Sequence, residues 1–375
     1  MTVLNTEVIP DVAALAHALR KRMPWAPAQK ALQAHGLPRG RGWDLTVAKL
    51  VTPGTLAPDQ IVAMQQLLVD HELCGEKLIR LYQMDAELKA TLIRQLRSID
   101  IQPNVFTACY PTGLSDAEIE ENNSFPLQIA AIVEADGGLA VVFSTIRGLI
   151  FREEVDPDSL PPAAREALSY YDQVLGVRQE RRQTFEVVYL PYEGDLVDIR
   201  VDYPDGMLRA AAQTAHAQVR QAFNEFVGCE ALSTPLNLFH LISSMYEAPN
   251  EGTVVELAFG TTTASTKYEK MRRSLLCLRQ EVYHRAGKQA LAAPIEPFRV
   301  SIQWLVSLTD DVYSRPELSL QSTQMARDSE APTLFDAVIR NTTGDRDYNF
   351  IRGRLEHFLA AITTAETLES MDVVG

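Results

Sequence analysis

The side chains best suited to chemistry in this chain are cationic, and they gather in two islands. The first holds Arg20, Lys21 and Arg22, then Arg39, Arg41 and Lys49. Arg39 and Arg41 stand in LPRGRG, a glycine-rich turn that leads into an expected helix with Asp44 as its N-cap. Guanidinium groups and free backbone N–H groups at such a turn point together at an anion such as phosphate. The second island holds Lys267, Lys270, Arg272 and Arg273, on an expected helix over 267–288 with Met271, Leu275, Leu278 and Val282 as its buried stripe. A Gly/Thr-rich loop, GTTTAST, joins an expected strand to that helix, with Thr266 and Glu269 as a capping box. The loop suits phosphate, although the G-x-x-x-x-G-K-[ST] spacing is absent and Glu269 occupies the favoured anion position. An ordinary solvated basic face is the competing reading of both islands.

Carboxylates offer a different chemistry. Glu186, Asp198 and Asp202 fall on or beside expected strands near Arg200, as in a metal-dependent, nuclease-like site, but the E-x-K partner of such sites is missing. Asp310-Asp311 follows a strand and reads as a solvated loop. The seven histidines never recur at i, i+3 or i, i+4, so no HExxH-type zinc site is expected. Neither G-x-S-x-G nor G-x-G-x-x-G occurs, and no cofactor or metal is expected. Trp25 and Trp43 bracket the Arg39–Arg41 turn. Trp43 could stack on a base, with core packing as the alternative.

The whole chain constrains these readings. Its 375 residues carry a formal charge of −14, with 46% hydrophobic residues, enough for two or three domains and a sizeable core. Residues 1–50 nevertheless total +4 and residues 260–290 total +5. The four cysteines are scattered and form no CxxC pair, which suits reduced thiols. With neither a secretory leader nor a membrane-length apolar run, the expectation is a soluble intracellular protein, cytoplasmic or nuclear/nucleoid.

The expected fold class is α+β: an N-terminal helical bundle, then a mixed, mainly antiparallel sheet of five to seven strands with packed helices. Residues 1–100 read as the helical bundle, wholly helical over 10–100, and 101–124 as a connector with a capping box at Ser115–Glu118. Residues 125–306 read as the sheet domain, and 307–375 as a loop followed by helices near 333–340 and 347–370. The sheet opens with a meander. LQIAAIVE turns at Asp136-Gly137-Gly138 into LAVVFST, and a second turn is expected near Arg147-Gly148 before LIFREE. FEVVYL, LVDIRV, Thr253–Phe259 and Phe298–Val306 follow as strands, with helices near 163–175, 207–227 and 235–246.

Two resemblances add to this reading. Leu32, Gly36, Leu37, Pro38, Gly40, Leu45 and Leu50 have the spacing of the SAP family, and this stretch of 31–50 resembles that small DNA-binding module. From Val12 to about Tyr203 the layout is similar to the centromere protein N family, the echo lying in a helix ending LIRLYQM, then LQIAAIVE and LAVVFST. That resemblance implies a nucleosome-binding, pyrin-like helical domain and a basic groove between bundle and sheet. The leading expectation is a non-enzymatic protein that binds DNA or nucleoprotein through both basic islands. A protein-interaction or assembly subunit whose acidic surface meets a basic partner is the alternative. The third reading is an enzyme using Glu186, Asp198 and Asp202.

Overall fold

The computed structural model describes residues 11–372 apart from residues 123, 262, 264 and 273–275. The chain opens with α1 (Val12–Arg22), α2 (Trp25–Ala34), α3 (Trp43–Leu50) and α4 (Pro58–Cys74). Leu15, Leu19, Leu32, Leu50 and Leu68 fall on the inward faces of these helices and make a separate core. Gly42, not Asp44, is the N-cap of α3, because the chain enters at a φ of 106° that glycine tolerates. Asp44 lies in the first turn instead, where its charge favours the helix dipole.

The first hundred residues are not wholly helical. LIRLYQ belongs to a strand, β1 (Lys77–Gln83), followed by α5 (Ala86–Ser98). Its period is two: Leu78 and Tyr82 join one core, Ile79 and Leu81 the other. Buried on both faces, such a run carries no helix-versus-strand contrast in its apolar pattern. The connector holds α6 (Val105–Cys109) and α7 (Asp116–Glu121), with the capping box of Ser115 and Glu118 in place.

The Asp136-Gly137-Gly138 hairpin joins β2 (Gln128–Ala135) to β3 (Gly138–Glu154), with Gly137 at φ 69°. The second turn expected near Arg147-Gly148 does not form. β3 runs straight through it for 17 residues and pairs without a break from Gly138↔Pro191 to Glu154↔Leu175. Between β3 and its partner β4 (Leu175–Pro191) lies α8 (Pro162–Leu168). Next come β5 (Leu196–Asp202), α9 (Arg209–Val227), α10 (Leu241–Glu247) and β6 (Thr253–Gly260).

The helix expected over 267–288 is replaced by β7 (Thr266–Lys270) and a shorter helix, α11 (Val282–Ala290). Hairpin pairing with β6, from Gly260↔Thr266 to Glu256↔Lys270, wins over helix propensity here. The remainder is β8 (Glu296–Gln303), a small hairpin of β9 (Val306–Ser307) and β10 (Tyr313–Ser314), β11 (Glu317–Gln321), α12 (Gln324–Arg327), β12 (Ala337–Arg340) and α13 (Asp345–Asp372). The stretch expected to be loop thus holds β10, β11 and the end of β9, and the second half of the helix expected near 333–340 is strand.

The fold is α+β. Ten strands form one sheet in the order β2-β3-β4-β5-β1-β12-β11-β8-β6-β7, antiparallel at every pairing, rather than five to seven. One face packs on α5 and α9 through residues such as Leu92, Val219 and Phe223. The other packs on α10, α13 and the C-terminal half of α4. The N-terminal half of α4 contributes Met64, Leu67 and Leu68 to the bundle, so this one helix ties bundle to sheet.

Candidate interaction surfaces

The three consecutive cations at the end of α1 complement the carbonyl end of the helix, and each has a carboxylate partner. Arg20 Nη2 lies 2.6 Å from Asp44 Oδ1, and Lys21 pairs with Asp116. Arg22 is buried at the joint between bundle and sheet. It pairs with Glu72 and, at 3.0 Å, with Asp202, donates to the Gln183 carbonyl at 3.0 Å, and lies 4.4 Å over the Phe185 ring. Lys77, fully buried, holds the other Asp202 oxygen at 2.5 Å. Burial pushes the Glu72 carboxyl up to about 8, against the pull of Arg22.

Arg39, Arg41 and Lys49 differ from these. All three are exposed, and Lys49 Nζ donates to the Arg39 carbonyl at 2.9 Å, closing the turn. Among the described residues no ion pair involves Arg39 or Arg41. Trp43 gives its indole N–H to the Met23 carbonyl at 2.8 Å and meets Trp25 edge-on at 5.6 Å, so it is tied into the bundle. In the second island Lys267 and Arg272 are exposed, Lys270 faces Glu256 at 3.7 Å, and Arg273 lies outside the described residues.

Along the sheet, the strands that Arg22 touches and the strand that carries Lys267 and Lys270 lie apart. The first sits over β4 and β5 through Arg22, and β7 is the far edge strand. Six strand spacings separate β5 from β7, roughly 29 Å at about 4.8 Å each.

The three carboxylates also fail to meet. Alternation puts Glu186 on the α9 face, where it pairs with Arg147 at 2.8 Å. Asp198 and Asp202 are on the opposite face. Arg200 and, at 2.8 Å, Arg352 neutralise Asp198, while Lys77 and Arg22 neutralise Asp202. Among the described residues no group of three His, Cys, Asp or Glu side chains is placed to hold a metal ion.

Two features have no clear signal in the sequence. One is a clamp of residues distant in the chain. His284 Nδ1 lies 2.5 Å from Glu269 Oε2, the Tyr246 hydroxyl lies 2.8 Å from His284 Nε2, and Lys288 Nζ donates to that hydroxyl at 3.2 Å. With Nδ1 donating to the carboxylate, Nε2 accepts the phenol proton, and the set ties α10 and β7 to α11.

The other is the outer half of the β3–β4 pair. No residue from 150 to 182 is buried. Its base is fixed by Ile150 N, which donates to the Gly206 carbonyl at 2.8 Å, and by Arg181, which donates to the carbonyls of Ile119 and Asn122 at 2.7 Å each. Beyond that base the arm carries Tyr170, Tyr171, Leu175 and Val177 at 74, 54, 60 and 66% exposure. The two tyrosine rings lie 4.2 Å apart and tilted, their hydroxyls 3.2 Å from each other. Residues 153–172 around them hold six acidic side chains and one arginine.

No helix among the described residues is long and apolar enough to cross a membrane. Compared with models of known protein families and with curated proteins, the sequence matches none.

Proposed function

We propose that the protein is a docking or assembly subunit that presents the β3–β4 arm to a basic partner. The observation that carries this reading is the arm itself: two regular strands whose outer half holds no fully buried residue, ending in adjacent exposed tyrosines within an acidic segment. Paired tyrosines supply large contact area at low conformational cost and are enriched at interface centres. The surrounding carboxylates steer a cationic surface toward them. Replacing residues 155–174 with Asn-Gly joins Glu154 to Leu175 by a two-residue hairpin. The expected outcome is an unchanged melting temperature and loss of a stoichiometric co-purifying partner, with no retention of the intact protein on DNA at about 0.1 M salt. A partner that stays bound to the arm-less protein rejects the reading.

A second reading keeps the nucleic-acid role but confines it to the bundle. It is favoured by Arg39 and Arg41, exposed on one turn beside Lys49 and without ion pairs among the described residues. The SAP-like spacing and the centromere protein N-like layout belong to this reading. Arg39→Ala with Arg41→Ala is then expected to lower the slope of log K against log salt by about 2, one for each phosphate that an arginine no longer neutralises. An unchanged slope excludes these two arginines from the binding surface.

A further inference from the structure

Between α2 and the β9–β10 hairpin lies a cleft of about 570 Å³, walled by the bundle on one side and by loops at one end of the sheet on the other. We propose that it binds a small anion bearing a flat polar ring, a free mononucleotide in class. Its volume is in the range of small-ligand sites.

Lys30 on α2 and Arg315 after β10 line the cleft from separate elements. Both are exposed, and among the described residues neither side chain makes a hydrogen bond or ion pair. The cations at the end of α1 are all matched to carboxylates. In a chain with 49 acidic and 35 basic residues, two unmatched cations on one cleft select for an anion.

The other walls narrow the ligand further. Gln303 lines the cleft with its Nε2 fixed on Glu317 at 2.7 Å. Tyr313 stands on the rim with 43% of its surface exposed, a platform for a planar ring. Asp311, on the same rim, repels a bare phosphate but accepts from sugar hydroxyls. Asn341, at φ 59°, is the one non-glycine residue with positive φ among the described residues, and it lines the floor with its N–H held by Glu76 at 3.0 Å. Positive φ outside glycine is uncommon and gathers at functional sites, although asparagine tolerates it best. Anion, planar ring and hydroxyls together describe a nucleoside monophosphate. Inorganic phosphate supplies only the first.

The test uses the full chain and titration calorimetry with each of the four ribonucleoside 5′-monophosphates, with adenosine and with inorganic phosphate. At least one monophosphate is expected to bind, and to bind at least tenfold more tightly than adenosine or phosphate. Lys30→Glu and Arg315→Glu, both at exposed positions, are each expected to weaken that binding tenfold or more with an unchanged circular dichroism spectrum. Lys267→Glu, at the far edge of the sheet, is expected to leave it intact. Absence of binding by all four monophosphates at millimolar concentration overturns the proposal. So does phosphate binding as tightly as the nucleotide, or binding that survives both cleft substitutions.

Discussion

Arg22 stands between Glu72, Asp202 and Phe185, at the centre of the joint that seats the bundle on the sheet. In sequence it cannot be told from Arg20 and Lys21, because a run of cations reports composition and not which side of the helix meets the core. Removing Arg22 leaves Asp202 with Lys77 alone and takes the partner from buried Glu72, the Gln183 carbonyl and the Phe185 ring together. Arg22→Ala is therefore expected to cost about 3–5 kcal/mol in urea unfolding, and Arg20→Ala, which breaks an exposed pair with Asp44, less than about 1 kcal/mol. A second test concerns Asp70. Burial, with Asp345 and Asp136 nearby, raises its carboxyl to about 7 despite the hydrogen bond from Gln66. The folded protein then holds a proton that the unfolded chain releases above its ordinary value of 3.8. Stability from this group is fully present below that value and falls as pH rises toward 7, by at most about 1.4 kcal/mol per pH unit. Asp70→Asn is expected to flatten that part of the pH profile and to raise the melting temperature at pH 8 more than at pH 5. An equal rise at both values removes Asp70 as the cause.

At the scale of elements, local chemistry is legible wherever the backbone demands a particular residue. Asp136-Gly137-Gly138 marks its hairpin because Gly137 has positive φ, and Ser115–Glu118 marks its helix because both side chains close on backbone N–H groups. Sequence fails to choose between helix and strand where tertiary pairing decides. β1 is apolar on both faces, and β7 exists only because β6 lies beside it. Gly148 has the residue type of a turn, yet it pairs with Arg181 inside a continuous strand. The candidate site divides in the same way. Arg39 and Arg41 lie on the turn that their glycines mark, while Tyr246, Glu269 and His284 are drawn together by folding alone. His284→Ala removes two of the three tethers of α11 and leaves only Lys288 on the Tyr246 hydroxyl. Amide exchange over 282–290 is expected to speed up while β1 and β5 keep their protection, and equal protection throughout contradicts a clamp.

For the whole molecule, the ten-stranded sheet sets distances that charge counts cannot. Roughly 29 Å between β5 and β7 exceeds the screening length of about 8–10 Å at physiological salt. Charge reversal of Arg39 and Arg41 and charge reversal of Lys267 and Arg272 are therefore expected to act additively on retention by a polyanion such as heparin. A marked excess over the sum would mean that the two regions work on one ligand segment.

β1 also dictates an order of events during synthesis. It pairs on one side with β5, but on the other its residues Lys77, Leu78 and Ile79 await Ile339, Val338 and Ala337. The growing polypeptide must therefore carry an open seam in the middle of its framework until Ala337–Ile339 have left the ribosome. Chains released before Ala337 would expose that seam and stick to one another, so premature termination should yield inclusion bodies rather than a smaller working protein.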